Sequence, residues 1–217
     1  MADYATRRIM MVDTQVRPSD VTKFPIIEAM LHVPREVYLP AGLREIAYVG
    51  ENIAVGHGRV MLDPRTLAKM LDALDLQRED VVLDLGCVQG YTTAVIARLV
   101  EFVVAVEPQE DWAHEAQSTL SEQGVDNAAV ITGDLTQGAA KSGPYDAIII
   151  QGAVQQVPDT LLAQLKDGGR IAAVFAEGAL GVVRIGHKLD GRVDWRLAFN
   201  AGAPVLDGFH AQDAFVL

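Results

Sequence analysis

Four polar residues of this 217-residue chain recur at one kind of place, the end of a short apolar run. Asp84 closes on Val81-Val82-Leu83, Glu107 follows Phe102-Val103-Val104-Ala105-Val106, Asp134 follows Val130-Ile131-Thr132-Gly133, and Gln151 follows Ile148-Ile149-Ile150. The first run breaks into a turn bracketed by Gly86 and Gly90, with Cys87 between them. Glycines at a strand-to-helix turn let the backbone approach a ligand closely, and the free N–H groups of the helix start then point at it. An acid about 20 residues beyond such a turn, at the end of the next strand, can accept both hydroxyls of a ribose. The chemistry expected is therefore the holding of a nucleotide-like ligand. Gly86-x-x-x-Gly90 departs from G-x-G-x-x-G, which disfavours a nicotinamide or flavin cofactor, and no G-x-x-x-x-G-K-[ST] is present, which removes the P-loop NTPases.

The elements that must position these residues follow from periodicity. Continuous apolar runs of this length are what parallel strands buried on both faces look like, and the segment 91–100 between the first two reads as a helix. Asp63-Pro64 opens another helix, with an N-cap acid and a proline in its first turn, and Leu67, Met70, Leu71 and Leu74 give it one buried stripe. A helix from about Gln109 to Gly124 places Trp112, Ala116 and Leu120 on one side, with Trp112 as a core residue. After Gly168-Gly169, runs near 170–176, 181–188 and 193–199 read as antiparallel strands, the last two joined by a hairpin at Asp190-Gly191. Residues 204–217, with Phe209, Phe215, Val216 and Leu217, form either a final strand or an interaction segment. Upstream, residues 1–50 read as a helical cap in which 11–18 is an extended arm and Pro25 to Pro34 bounds a short helix bearing Ile26, Ile27, Met30 and Leu31. Residues 51–63 read as a glycine-broken loop. Arg17 and Arg35 read as solvated arginines, the functional alternative being that one of them faces a substrate carboxylate.

The order of these pieces carries a resemblance. Acidic strand end, Gly-x-x-x-Gly, Val106-Glu107, Gly133-Asp134, then Tyr145-Asp146-Ala147-Ile148-Ile149 and Leu165-Lys166-Asp167-Gly168-Gly169-Arg170 is similar to the class I S-adenosylmethionine-dependent methyltransferases. More narrowly, the chain resembles the protein-L-isoaspartate (D-aspartate) O-methyltransferase family. The narrower match rests on Met30, Pro34-Arg35-Glu36, Tyr38-x-Pro40, Ala47-Tyr48, Val55-Gly56-His57-Gly58, Pro64, Gly90-Tyr91-x-Thr93-Ala94 and Val157-Pro158-x-x-Leu161-Leu162, and it spans residues 10–176. The resemblance implies an α/β fold: a Rossmann-like doubly wound sheet of about seven strands, mostly parallel, with an N-terminal helical cap (1–63) on a core (64–217), the two forming one unit. It implies S-adenosylmethionine as cofactor, held by Asp84, Gly86, Cys87, Gly90, Glu107, Pro108, Asp134, Leu135 and Gln151. Pro108 or Leu135 would then pack on the adenine and Asp134 would accept its amino group. His57, Gly58 and Arg59 fall on the substrate side, and the implied partner is a protein or peptide carrying an isoaspartyl or similar carboxylate.

Two positions depart from the family pattern. Leu62 stands where the family places a serine before the proline-opened helix, and a leucine can neither orient nor polarise a carboxylate. Val88 replaces the middle glycine of the loop, and a β-branched residue resists positive φ and adds bulk where the methionine part of the cofactor would lie. A catalytically impaired member acting as a binding or regulatory protein is therefore the alternative function, and a different nucleotide-dependent enzyme on a similar sheet is a third. Composition narrows the rest. A net charge of −11 argues against nucleic acid, whose phosphates need clustered Lys and Arg. No apolar segment is long enough to span a membrane and the first residues lack an apolar signal core, so the expected setting is the cytoplasm. The lone Cys87 reads as a small buried filler, and no Cys/His set has metal spacing.

Overall fold

The computed structural model describes residues 3–178 and 180–211. Its elements are α1 (Tyr4–Met11), α2 (Phe24–His32), β1 (Ile53–Gly56), β2 (Arg59–Met61), α3 (Pro64–Leu74), β3 (Val81–Leu85), α4 (Tyr91–Ala97), β4 (Phe102–Glu107), α5 (Glu110–Glu122), β5 (Ala128–Thr132), β6 (Tyr145–Val154), α6 (Asp159–Leu162), β7 (Leu165–Glu177), β8 (Leu180–Leu189) and β9 (Arg192–Asn200). Seven strands form one sheet in the order β5-β4-β3-β6-β7-β8-β9. The first five are parallel and the last two antiparallel, as the alternation of apolar runs implies. The chain winds outward from β3 through β4 to β5, then returns to β3's other side with β6. Between β3 and β6, where the winding reverses, a crevice opens at the carboxyl ends of the strands.

Alternate residues of the central strands feed two cores, because successive side chains of a strand point to opposite faces. Val82, Ile149 and Ala172 join α3, α4 and the N-terminal helices on one face. Leu83, Ile148 and Ile171 join Tyr145, Leu161, Leu165, Leu206 and Phe209 on the other. The helix that leads into the sheet forms as its sequence dictates: the Asp63 carboxylate caps α3 by accepting the Thr66 N–H at 2.9 Å, and Leu67, Met70, Leu71 and Leu74 are buried.

Several expectations are corrected. Residues 11–18 are helical, not extended: α1 runs into a π turn over Val12–Val16 and a 3₁₀ turn over Arg17–Ser19, because Met11, Val12 and Val16 lie at helical spacing and are all buried against the core. Residues 51–63 contain a β-hairpin, with Ile53 opposite Met61 and Ala54 opposite Val60, rather than only a loop. Helix α4 stops at Ala97 instead of 100. Strand β7 begins at Leu165, ahead of the two glycines, and β6 continues past Gln151 to Val154. Of the tail, residues 204–209 cross the carboxyl edge of the sheet. A single parallel bridge joins Val205 to Ala153, the Phe209 ring is fully buried, and Leu206 lies where any side chain at Gly152 would collide with it at 2.5 Å. Phe215, Val216 and Leu217 fall outside the described residues.

Candidate active site at the carboxyl edge of the sheet

The loop after β3 is shaped by its own hydrogen bonds. The Gly86 N–H donates to the Val106 carbonyl at 2.8 Å and the Gly90 N–H to the Cys87 carbonyl at 2.8 Å, with φ of 84° and 93° at the two glycines. Val88, between them, adopts φ 55° and its side chain is buried. The expected resistance of valine to this conformation is overridden. A left-handed L-residue costs roughly 1–2 kcal/mol, and the Val88 N–H here reaches the Glu107 carboxylate at 2.9 Å, a charge-assisted bond that offsets it. The loop thus keeps a turn that the missing glycine would have made without strain.

Two fully buried carboxylates define the floor. Asp84 accepts the Thr93 hydroxyl at 2.7 Å and the Gln151 amide at 3.1 Å, and Gln151 in turn accepts the Thr92 hydroxyl at 3.2 Å. Burial raises the Asp84 pKa to about 6, against the lowering effect of these two donors. Glu107 accepts from the N–H groups of Val88 and Gln109 and from Arg59. The Arg59 Nη1 and Nη2 each lie 3.3 Å from one Glu107 oxygen, and Nη2 donates to the Gly86 carbonyl at 2.8 Å. Cys87 is buried and its thiol pKa is pushed well up by that burial, so it is a filler and not a nucleophile.

Above this floor lies an open cavity of about 570 Å³. His57, Gly58 and Arg59 from the β1–β2 hairpin line one side, and Pro108, Asp134 and Leu135 the other, with Val205 to Gly208 of the tail closing the end. The expected adenine-side residues and the expected substrate-side residues therefore share one space. Asp84, Gly86, Cys87, Gly90, Glu107 and Gln151 are not on its wall; they sit beneath or beside it. A groove of similar size, about 540 Å³, between α2 and α3 is lined by apolar residues such as Ile26 and Leu71 and by charged ones such as Lys23, Glu28 and Asp75, and has no glycine on its wall.

Some predicted residues fall elsewhere. Arg59, grouped with the substrate side, lines the cavity and pairs with Glu107. Arg35 is neither solvated nor facing a ligand: it is fully buried, donates to the carbonyls of Ala47 at 2.7 Å and Leu62 at 2.6 Å, and packs 4.7 Å over the Tyr91 ring. Arg17 is exposed and paired with Asp13, as expected of a solvated arginine. Leu62 is buried in the helical-side core and does not line the cavity. Trp112 is half-buried rather than core, its ring set edge-on to His57 at 5.2 Å, because the hairpin turn reaches over α5. From the sequence, Thr93 enters only as part of the family motif and Thr92 not at all, although two hydroxyls inside an otherwise apolar helix start were a visible signal. It also missed the seating of Leu206 on Gly152, for which no local signal exists.

The residues fit the adenosine half of an S-adenosylmethionine site. Pro108 and Leu135 are apolar flanks for a base, Asp134 is an exposed acceptor at the rim, and Glu107 lies beneath with both oxygens held by Arg59. Among known proteins, the family model for protein-L-isoaspartate (D-aspartate) O-methyltransferase matches residues 9–195. A protein-L-isoaspartate O-methyltransferase of Methanoculleus marisnigri is 35% identical over 163 residues, covering 75% of this chain and 74% of its own. Its counterpart from Pelotomaculum thermopropionicum is 37% identical over 169 residues, covering 78% and 74%. Of solved structures, a protein-L-isoaspartate O-methyltransferase superposes with a TM-score of 0.81 at 22% identity, over 94% of this chain and 66% of that one. A Plasmodium falciparum β-aspartate methyltransferase in complex with S-adenosyl-L-homocysteine superposes with a TM-score of 0.79 at 18% identity, over 95% and 99%. The two structures share the fold; the sequence matches, over three quarters of the chain, settle that it belongs to the protein-L-isoaspartate (D-aspartate) O-methyltransferase family of S-adenosylmethionine-dependent methyltransferases.

Proposed function

We propose that this chain methylates the carboxylate of isoaspartyl residues in proteins or peptides, as a cytoplasmic repair activity, with Pro108, Leu135, Asp134 and Glu107 holding the adenosine of the donor. The observation that carries the reading is the cavity at the carboxyl ends of β4 and β5, which sets Pro108, Asp134 and Leu135 opposite the Gly58 turn, with Glu107 buried behind the Arg59 guanidinium. Among the described residues no helix is long and apolar enough to cross a membrane. When bound, S-adenosylmethionine supplies an electrophilic methyl group. The acceptor carboxylate is ionised at neutral pH, so the protein need not remove a proton; it must hold the acceptor in line and exclude water, and position decides the rate. Leu62 contributes no hydroxyl to that task. His57 and the Gly58 backbone, exposed on the cavity wall, are the groups left to orient the acceptor.

The test is calorimetric titration of cofactor-stripped protein with S-adenosylhomocysteine, followed by methyl transfer to an isoaspartyl peptide and to its ordinary aspartyl counterpart. The expected result is micromolar binding, with transfer confined to the isoaspartyl form. Val88→Gly is expected to raise transfer, whereas Leu62→Ser, whose side chain lies in the core away from the cavity, is expected to give no gain. Binding with no transfer by any of these proteins would favour the alternative of a binding or regulatory member, for which Leu62 is the motivating residue. Absence of both binding and transfer would overturn the donor reading.

A further inference from the structure

Arg59 stands in a place that a donor needs. Its guanidinium spans both Glu107 oxygens at 3.3 Å, and Nη2 lies so close on the Gly86 backbone that an added Cβ there would meet it at 2.5 Å. Two parallel N–H donors on one carboxylate imitate the two hydroxyl donors of a ribose on the same carboxylate. We infer that Arg59 is an internal occupant of the ribose subsite, and that donor binding exchanges its two hydrogen bonds for those of the ribose while the exposed turn of the β1–β2 hairpin, not its buried strands, moves outward. This rests on the donor reading given above.

Three features make the exchange feasible. The hairpin is a separate two-stranded sheet, not hydrogen-bonded into the seven-stranded one. Its turn consists of three successive residues at positive φ, Gly56 at 110°, His57 at 49° and Gly58 at 66°, all exposed. The ion pair is also incompletely satisfied, since the buried Arg59 Nε has no partner. A buried pair with a donor unmet is a weak stabiliser, because the desolvation of both charges is not fully repaid by their attraction. Arg59 can regain hydration when it leaves, provided another pair of donors covers Glu107.

The hairpin has a built-in reporter. Trp112 on α5 packs edge-on against His57 at 5.2 Å, while the other tryptophan, Trp195, packs on Phe175 at 4.9 Å in the antiparallel part of the sheet. In a Trp195→Phe background, the emission of Trp112 reports hairpin position without reference to catalysis. The experiment titrates S-adenosylhomocysteine into this protein and into its Arg59→Gln and Arg59→Met versions, reading heat and Trp112 emission together. The expected result is that both neutral variants bind at least tenfold more tightly than the protein with Arg59, and that ligand shifts the Trp112 emission when Arg59 is present. Equal or weaker binding by both variants, with the Arg59 protein still binding, would overturn this inference and leave the donor reading intact. An unshifted Trp112 emission on saturation would overturn the hairpin movement. Failure of all three proteins to bind would overturn the donor reading and this inference with it. Arg59→Met keeps the apolar stem of the side chain, so a folding defect confined to Arg59→Gln does not leave the question open.

Discussion

Replacing Asp84 by asparagine is expected to stabilise the protein increasingly as pH rises above about 4. Asp84 is fully buried between β4 and β6 and its pKa is raised from 3.8 to about 6 by that burial. Between those two values the folded state binds a proton that the unfolded state has released, so stability falls as pH rises from about 4 to about 6 and is level above it. A shift of roughly two units at 1.36 kcal/mol each amounts to about 3 kcal/mol lost by pH 7.5. Asparagine keeps the hydrogen bonds, because its carbonyl still accepts from Gln151 and its amide donates to the Thr93 oxygen, whose hydroxyl turns to suit. Only the charge is removed. The assay is urea unfolding of both proteins at pH 4.5, 5.5, 6.5 and 7.5, taking the difference at each pH so that other titrations cancel. That difference should grow by about 2 kcal/mol across the series, since about a third of the loss has already occurred by pH 4.5, or about 4–8 °C in Tm. A difference that stays constant with pH, or wild-type protein that is the more stable at pH 7.5, would refute the reasoning, because the donors from Thr93 and Gln151 would then outweigh desolvation.

Arg35→Met is expected to destabilise by about 2 kcal/mol or more, since the carbonyls of Ala47 and Leu62 lose their donor while buried; chemical denaturation measures it, and an unchanged or raised midpoint would mean that desolvating the cation costs more than its two bonds return. Phe209→Ala should cost about 3–5 kcal/mol through loss of a fully buried ring, and amide exchange should quicken selectively at Ala153 and Leu206, whose N–H groups bond the carbonyls of Pro204 at 2.8 Å and Ala153 at 2.9 Å. If exchange at those two amides matches wild type, Phe209 is not what holds the tail across the sheet edge.

Much of this protein is legible in its sequence because the relevant signals are local. The apolar runs ending at Asp84, Glu107, Asp134 and Gln151 announce buried parallel strands, and Asp63-Pro64 with the stripe Leu67 to Leu74 announces α3, since strand and cap preferences act over a few residues. The family pattern lies in the same short segments. What the sequence could not supply were pairings between distant parts. Arg59 and Glu107 are 48 positions apart, and nothing near either residue tells that the hairpin folds back and lays its cation on the loop. Arg35 looks like a surface arginine until Ala47 and Leu62 are brought round it. Leu206 and Phe209 cover the sheet edge only because the antiparallel strands β8 and β9 return the chain there. Val88 shows the same limit from the other side: its own preference argues against the turn, and a carboxylate from the next strand, Glu107, decides in favour of it. Local propensity chose the strands, the helices and the acids at their ends, whereas the tertiary structure decided which charges meet, since burial and pairing depend on neighbours that the chain supplies from far away.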